Sequence, residues 1–223
     1  ISNCYLSIPL ELNVNLPPAI NTFGSVEICD NENASYNLSE INSIILDDTN
    51  NVSLGYYASQ NDALNQTNAL DLNYNYQTNN DTIYVRVQFI STGCHTIYPF
   101  QLIVNSLPIA NQPNDLEDCD DDFDGFLTFD LSQQDTTVLG GQNPNNFTIT
   151  YHYNSASAEN NTDALNTTYN AINNDVIYVR IENNTTGCYS VTQFTIFVHP
   201  KPIIDLEDQV MCLEDLPLLV SAN

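Results

Sequence analysis

Apolar and polar residues alternate along most of this chain, in runs of only five to eight residues. In "TIYVRV" at 82–87 the alternation puts Ile83, Val85 and Val87 on one face of an extended strand and Tyr84 and Arg86 on the other, since strand side chains point to opposite faces in turn. "VIYVRI" at 176–181 repeats the pattern. Such runs are rich in Ile, Val, Tyr, Phe and Thr and are bounded by Asn, Asp and Pro clusters, with no helical periodicity. The pattern predicts an all-β chain of short strands.

The runs recur with a period of about ninety residues. "NNDTIYVRVQFISTGC" at 79–94 returns as "NNDVIYVRIENNTTGC" at 173–188, and "VEICD" at 26–30 returns as "LEDCD" at 116–120. After each TGC comes an alternating run, "TIYPFQLIVNSLP" and "SVTQFTIFVHPKP", and "YLSIPLELNVNLPP" at 5–18 is the same element a third time. The expected organisation is a last strand of a preceding unit at 1–19 and full units at 20–107 and 108–199. A linker and the start of another unit follow at 200–223. Ninety residues and about seven strands match tandem immunoglobulin-like β-sandwich repeats, although the Trp of antibody domains is missing. Proline-bearing joins, Leu107-Pro108 and His199 to Pro202, predict semi-rigid linkers and a stiff rod.

Charge narrows the partners. Three basic against 28 acidic residues, a formal charge of −25, repel phosphate backbones and anionic membrane surfaces, which excludes nucleic acid and direct membrane contact. No apolar run approaches the ~20 residues that span a bilayer. The N-terminus lacks the basic start of a signal peptide, which reads as an internal piece of a longer chain. Six cysteines without a C-x-x-C pair suit disulfides and an extracellular location.

The densest charge lies in "CDDDFDGFLTF" at 119–129. Asp120, Asp122 and Asp124 followed by Gly125 reproduce the D-x-D-x-D-G opening of calcium loops, in which alternate carboxylates converge on one ion and glycine permits the sharp turn. Ca2+ is the expected ion, held by Asp120, Asp122, Asp124, the carbonyl of Phe126 and Asp130. The twelfth loop position is Leu131, not the Glu of an EF-hand, and "FLTFDL" alternates like a strand, so the loop belongs at a sandwich edge. The matching stretch of the first unit, "CDNENASYNL", has neither the third aspartate nor the glycine and should bind calcium weakly or not at all.

For the cysteines the repeat leaves two arrangements. Each unit can close on itself, as Cys29–Cys94 and Cys119–Cys188, or pairs can straddle the linkers, as Cys4–Cys29, Cys94–Cys119 and Cys188–Cys212. In a linear rod the first is favoured, because the TGC hairpin lies a strand length, roughly 30 Å, from the exit to the next unit. A chain folding back at the prolines would favour the second.

Nothing assembles into an active site, and the chain reads as a non-enzyme. His95, His152 and His199 are scattered without metal-ligand spacing, and adjacent residues such as Cys94 and His95 point to opposite strand faces. Arg86 and Arg180 share one repeat position, which suits an ion pair or a tyrosine stack. Tyr56, Tyr57, Tyr151 and Tyr153 suit packing first and a sugar-stacking strip second, and a carbohydrate-binding module is the alternative function.

The combination "LEDCDDDFDGFLTFDLSQQDTTVLGG", "IYVRIENNTTGCYS" and "FVHPKP" resembles the tandem repeats of large surface proteins in gliding, flavobacterial-type bacteria, exported by type IX secretion. The resemblance covers nearly all of the second unit and the second half of the first. It implies a cell-surface adhesin or filament stalk whose partners are neighbouring repeats of the same chain and an extracellular glycan or surface. Asp81-Thr-Ile and Asp135-Thr-Thr also fit the short O-glycosylation pattern of such bacteria.

Overall fold

The computed structural model describes residues 8–30, 34–76 and 80–202. These fall into two compact units, divided between Ser106 and Leu107. The first contains β1 (Ser25–Cys29), β2 (Ser35–Asn37), β3 (Val52–Tyr57), β4 (Asn73–Asn75), β5 (Asn80–Phe89) and β6 (His95–Asn105). The second contains β7 (Leu116–Asp120), β8 (Phe126–Asp130), β9 (Phe147–His152), β10 (Thr168–Ile172), β11 (Asp175–Asn183) and β12 (Tyr189–Pro200).

Each unit faces a four-stranded sheet, β1-β6-β5-β3 or β7-β12-β11-β9, with a two-stranded one, β2-β4 or β8-β10. The first strand of each unit runs parallel to the last, and the remaining pairs are antiparallel. The chain is therefore all-β, two tandem immunoglobulin-like sandwiches.

The period-two faces build the cores. Ile83, Val85 and Val87 of β5 are buried with Phe100, Leu102 and Val104 of β6, and Ile177, Val179 and Ile181 of β11 with Phe194 and Ile196 of β12. Each such side chain contributes about 1.5–3 kcal/mol through burial. The other layer is closed by single helical turns: Leu38 and Ile41 plug the first core and Leu131 the second.

Short helices, which the apolar pattern does not announce, replace a strand in each unit: α1 (Asn42–Ile45) and α2 (Gln60–Asn65), then α3 (Asp135–Leu139) and α4 (Ser155–Asn160). None exceeds six residues, too few for a periodicity, and only α2 and α4 carry a side-chain cap as a signal. Ser59 Oγ accepts from the Asp62 amide, and Asn154 Oδ1 from that of Ser157. Among the described residues no helix is long and apolar enough to cross a membrane.

The segments ahead of the first strands belong to their own units. The Pro18 carbonyl accepts from Thr96 Oγ1 and that of Pro108 from Ser190 Oγ, while Asp115 Oδ1 accepts from the Thr195 amide. Residues 8–16 pair with nothing among the described strands. Leu10, Leu12 and Val14 are 90%, 78% and 81% exposed, whereas Phe100, Leu102 and Val104 at the matching places of β6 are at most 4% exposed.

Candidate functional site

The acidic turn joins β7 to β8. Asp120, the last residue of β7, is buried, and its carboxylate organises the turn. Oδ1 accepts from the amides of Asp122 (3.2 Å) and Phe123 (2.9 Å), and Oδ2 from that of Gly125 (2.8 Å). These bonds, the Gly125 amide foremost, hold the Asp120 carboxyl below the usual aspartate range. Asp122 and Asp124 repeat the device, accepting from the Asp124 and Phe126 amides. Phe123 and Gly125 take left-handed conformations, φ +62° and +86°, which glycine adopts without cost.

Ligand oxygens of Asp120, Asp122 and Asp124 lie within 4.8 Å of one another, the span that one cation with oxygen ligands at 2.3–2.6 Å can bridge. Asp122 is held above the usual aspartate value, first by the hydrogen bond it shares with Asp120 and then by the charge of Asp124. A cation would relieve that repulsion, so the donor set fits the ion. Phe126 lines the same open hollow, together with Thr128 and Asn170.

Asp130 does not. It sits at the far end of β8, where its carboxylate caps the turn at Leu131–Gln134 through the Ser132 amide and hydroxyl. Spacing borrowed from a loop-helix motif fails here because a strand follows the turn and carries Asp130 away. The residue the sequence reading missed is Asn170, brought over the hollow by the β8–β10 register opposite Thr128. A lysine also arrives from afar: Lys201 Nζ lies 2.9 Å from Asp121 Oδ1. In the first unit the equivalent acid, Asp30, accepts from the Tyr76 hydroxyl at 2.6 Å.

The cysteines correct the expected pairing. Cys29 and Cys188 are disulfide-bonded, and Cys94 and Cys119 are free, so neither Cys29–Cys94 nor Cys119–Cys188 forms, nor does the straddling pair Cys94–Cys119. Cys4 and Cys212 lie outside the described residues. Parallel pairing is the reason. Cys29 lies opposite Asn105, eleven residues beyond Cys94, and Cys119 opposite His199, eleven beyond Cys188, which is about 36 Å at the strand rise. The TGC cysteine sits at the leading end of each sandwich and the cysteine of the first strand at the trailing end.

Both buried arginines are structural. Arg180 donates to Glu182 through Nε (2.9 Å) and a terminal nitrogen (2.6 Å), to the Ala158 and Glu159 carbonyls of α4, and stacks 3.5 Å from the Tyr189 ring centroid. Arg86 grips the Ala63 carbonyl of α2 and the neutral Gln88. No tyrosine strip forms: Tyr56, Tyr57 and Tyr151 are buried and Tyr153 alone is exposed. Burial and the Asp135 carboxylate push the Tyr151 hydroxyl far up. His152 is buried with both ring nitrogens engaged, by the Thr162 carbonyl and the Thr150 hydroxyl.

The family model described as the Flavobacterium inter-domain disulphide bond domain matches residues 25–108 and again 115–202. The chain belongs to this family, in two tandem copies. Each copy of the inter-domain disulphide domain begins at its first strand and runs through its last. No curated protein matches the chain. Among solved structures, the I-band fragment I67–I69 of titin is 12% identical with a TM-score of 0.27, covering 82% of this chain and 64% of that one. The chain thus spans under two thirds of that fragment's length. BT4661, a SusE-like surface located polysaccharide binding protein of Bacteroides thetaiotaomicron, is 13% identical with a TM-score of 0.25, over 83% of this chain and 34% of that one. With TM-scores below 0.5, neither likeness carries an argument.

Proposed function

We propose that this chain is a non-catalytic stalk segment of an extracellular repeat adhesin or surface filament, in which disulfides clamp each sandwich to the next. The observation that carries the reading is the cysteine pattern. Cys29 and Cys188 are bonded while their own-unit counterparts are free. Cys29 sits beside Asn105, where β6 ends, and Cys188 sits two residues before Ser190, which holds Pro108 at the start of the second unit. Two residues, Ser106 and Leu107, lie between Asn105 and Pro108, three Cα steps or about 11 Å of extended chain. The family's description names an inter-domain disulphide bond, and we assign it to Cys29 and Cys188. Peptide mapping of the unreduced protein tests it: a linked Cys29–Cys188 peptide is expected, and a Cys4–Cys29 or Cys188–Cys212 peptide would overturn it.

Calcium is the second element of the proposal. Asp120, Asp122 and Asp124 would hold it, with the Phe126 carbonyl and the Asn170 side-chain oxygen completing the shell, and it would brace the trailing end of the second unit. The flavobacterial resemblance supports type IX export, a role in gliding motility and an extracellular glycan or surface as the target of the complete protein. Residues 8–16 support a further repeat, since their exposed alternation is that of a last strand.

A further inference from the structure

The outer face of the four-stranded sheet of the second unit carries a hollow separate from the acidic turn. The strand period that buries Ile177 and Val179 turns Tyr178 of β11 outward, where it is half-exposed. Its cross-strand neighbour is Gln193 of β12. Arg180 ties α4 to this sheet through the Ala158 and Glu159 carbonyls, and α4 brings Ser155 and Glu159 to the rim of the hollow. Gln112, from the segment ahead of β7, supplies another wall. Its amide nitrogen donates to the Gln193 carbonyl, and its amide oxygen accepts from Thr192 Oγ1 at 3.2 Å. The space is about 430 Å³ and open to solvent.

Two observations point to a ligand. No described residue hydrogen-bonds to the Tyr178 hydroxyl or to the Gln193 side-chain amide, so both keep their capacity to donate and accept. The Ser155 hydroxyl donates to Glu159 Oε1 at 2.8 Å, which orients that carboxylate and leaves its second oxygen as an acceptor. The first unit then gives a comparison. Tyr84 stands there in the place of Tyr178, but Leu64, Tyr98 and Pro99 stand where the second unit has Glu159, Thr192 and Gln193, and the Tyr98 hydroxyl is taken by the Phe23 amide. The ring is common to both sheets. Only in the second do an amide and a carboxylate replace the proline and the leucine beside it.

An aromatic face bordered by amides, hydroxyls and one carboxylate suits a sugar, whose C–H groups pack on a ring while its hydroxyls both donate and accept. The surroundings also set the ligand's charge. Glu159 lines the hollow, Arg180 is engaged by Glu182 and α4, and the chain carries −25, so an anionic ligand is repelled. We propose that this hollow is a binding subsite for a short neutral saccharide, with Tyr178 as the stacking platform, Gln193 and Glu159 as the groups that read its hydroxyls, and Gln112 as the residue that shapes the wall. Its volume lies within the ~300–1,000 Å³ of small-molecule sites. The inference rests on the reading of an extracellular glycan as the target and names where on this chain that glycan is held. It needs no calcium, because the acidic turn lines a different hollow.

The test titrates the whole chain by calorimetry with malto-, cello-, xylo- and mannohexaose and, as an anionic probe, with a hyaluronan hexasaccharide. At least one neutral hexaose is expected to bind, more tightly than hyaluronan and equally in calcium and in chelator. Tyr178→Ala should weaken that binding about tenfold, and Tyr178→Phe, which keeps the platform, by about twofold or less. Tyr84→Ala, at the first-unit counterpart, should leave it unchanged. Where Tyr178→Ala shifts the thermal unfolding midpoint by more than a few degrees, Gln193→Ala and Glu159→Ala decide, since both residues are exposed and each change should cost severalfold in affinity. Binding that survives these substitutions, that is lost equally in Tyr84→Ala, or that favours hyaluronan overturns the site and leaves the glycan reading standing. Silence from all five probes sinks the site together with that reading.

Discussion

Arg180→Ala gives the sharpest test of what holds the second unit, because the first carries its own control at Arg86. The Arg180 side chain is 7% exposed and Glu182 is 29% exposed. Truncation strands that carboxylate, leaves the Ala158 and Glu159 carbonyls without their donor and removes the stack on Tyr189. Breaking a buried pair from one side costs about 3–5 kcal/mol, and partial exposure of Glu182 puts this case at the low end, about 3 kcal/mol. Arg86 faces the neutral Gln88 and one helix carbonyl, so Arg86→Ala should cost about 1–2 kcal/mol in hydrogen bonds. For a unit near ninety residues, each kcal/mol lowers the midpoint by about 4–8 °C. Scanning calorimetry of both variants should therefore show a fall of at least about 12 °C in one transition for Arg180→Ala and a clearly smaller one in the other transition for Arg86→Ala. Arg180→Lys keeps the charge but loses the fork and the planar stack, and should recover no more than half. Equal losses for the two alanine variants, or full rescue by lysine, would refute the reasoning.

Calcium at about a hundred times its dissociation constant should stabilise the second unit by about 2.7 kcal/mol, read as a chelator-sensitive rise in one calorimetric transition. Asn170→Ala should weaken that rise, while Asp130→Ala should leave it intact and instead cost the unit about 1 kcal/mol through the lost cap; the opposite pattern would restore Asp130 as a ligand. The pH dependence has a fixed sign. Asp120, depressed by its backbone donors, contributes stability above the ordinary value of about 3.9 that is lost as the pH falls through its lower folded value. Asp122 is raised, so it regains its proton above that ordinary value and there competes with the ion. The calcium-induced rise should thus begin to shrink while the pH is still above that ordinary value; a rise undiminished down to that value would count against Asp122 as a ligand.

The inner faces of β5 and β11 can be read from sequence because burial follows the strand period, and Ile83 or Ile177 needs no partner to declare its side. Alternation says which face is buried but not which way a neighbouring strand runs. Had β1 run antiparallel to β6, Cys29 would have met Cys94; the parallel register moves it a strand length away, and the pairing inferred from order along the chain fails with it. Asn170 was invisible for a related reason. It reaches the acidic turn only through the β8–β10 pairing, 42 residues from Thr128 in sequence. Repetition marked Arg86 and Arg180 as structural, yet their targets are carbonyls of helices too short to leave a periodic trace.

The two units treat one position differently, and this bears on why so much charge sits in one turn. In the first, Asp30 accepts from the Tyr76 hydroxyl. In the second, Asp120 is buried among three amides and followed by exposed carboxylates whose oxygens converge. Backbone amides lower Asp120; Asp122, though it too accepts an amide, is raised, first by its hydrogen bond with Asp120 and then by the charge of Asp124, and Lys201 pairs with Asp121. The turn thus gathers negative charge that an ion could neutralise. A disulfide restricts the chain whatever the ionic conditions, whereas a cation braces a turn only where its concentration suffices. At the trailing end of the second unit, where Cys119 is free, a cation held by the acidic turn would supply only the conditional kind of stiffness.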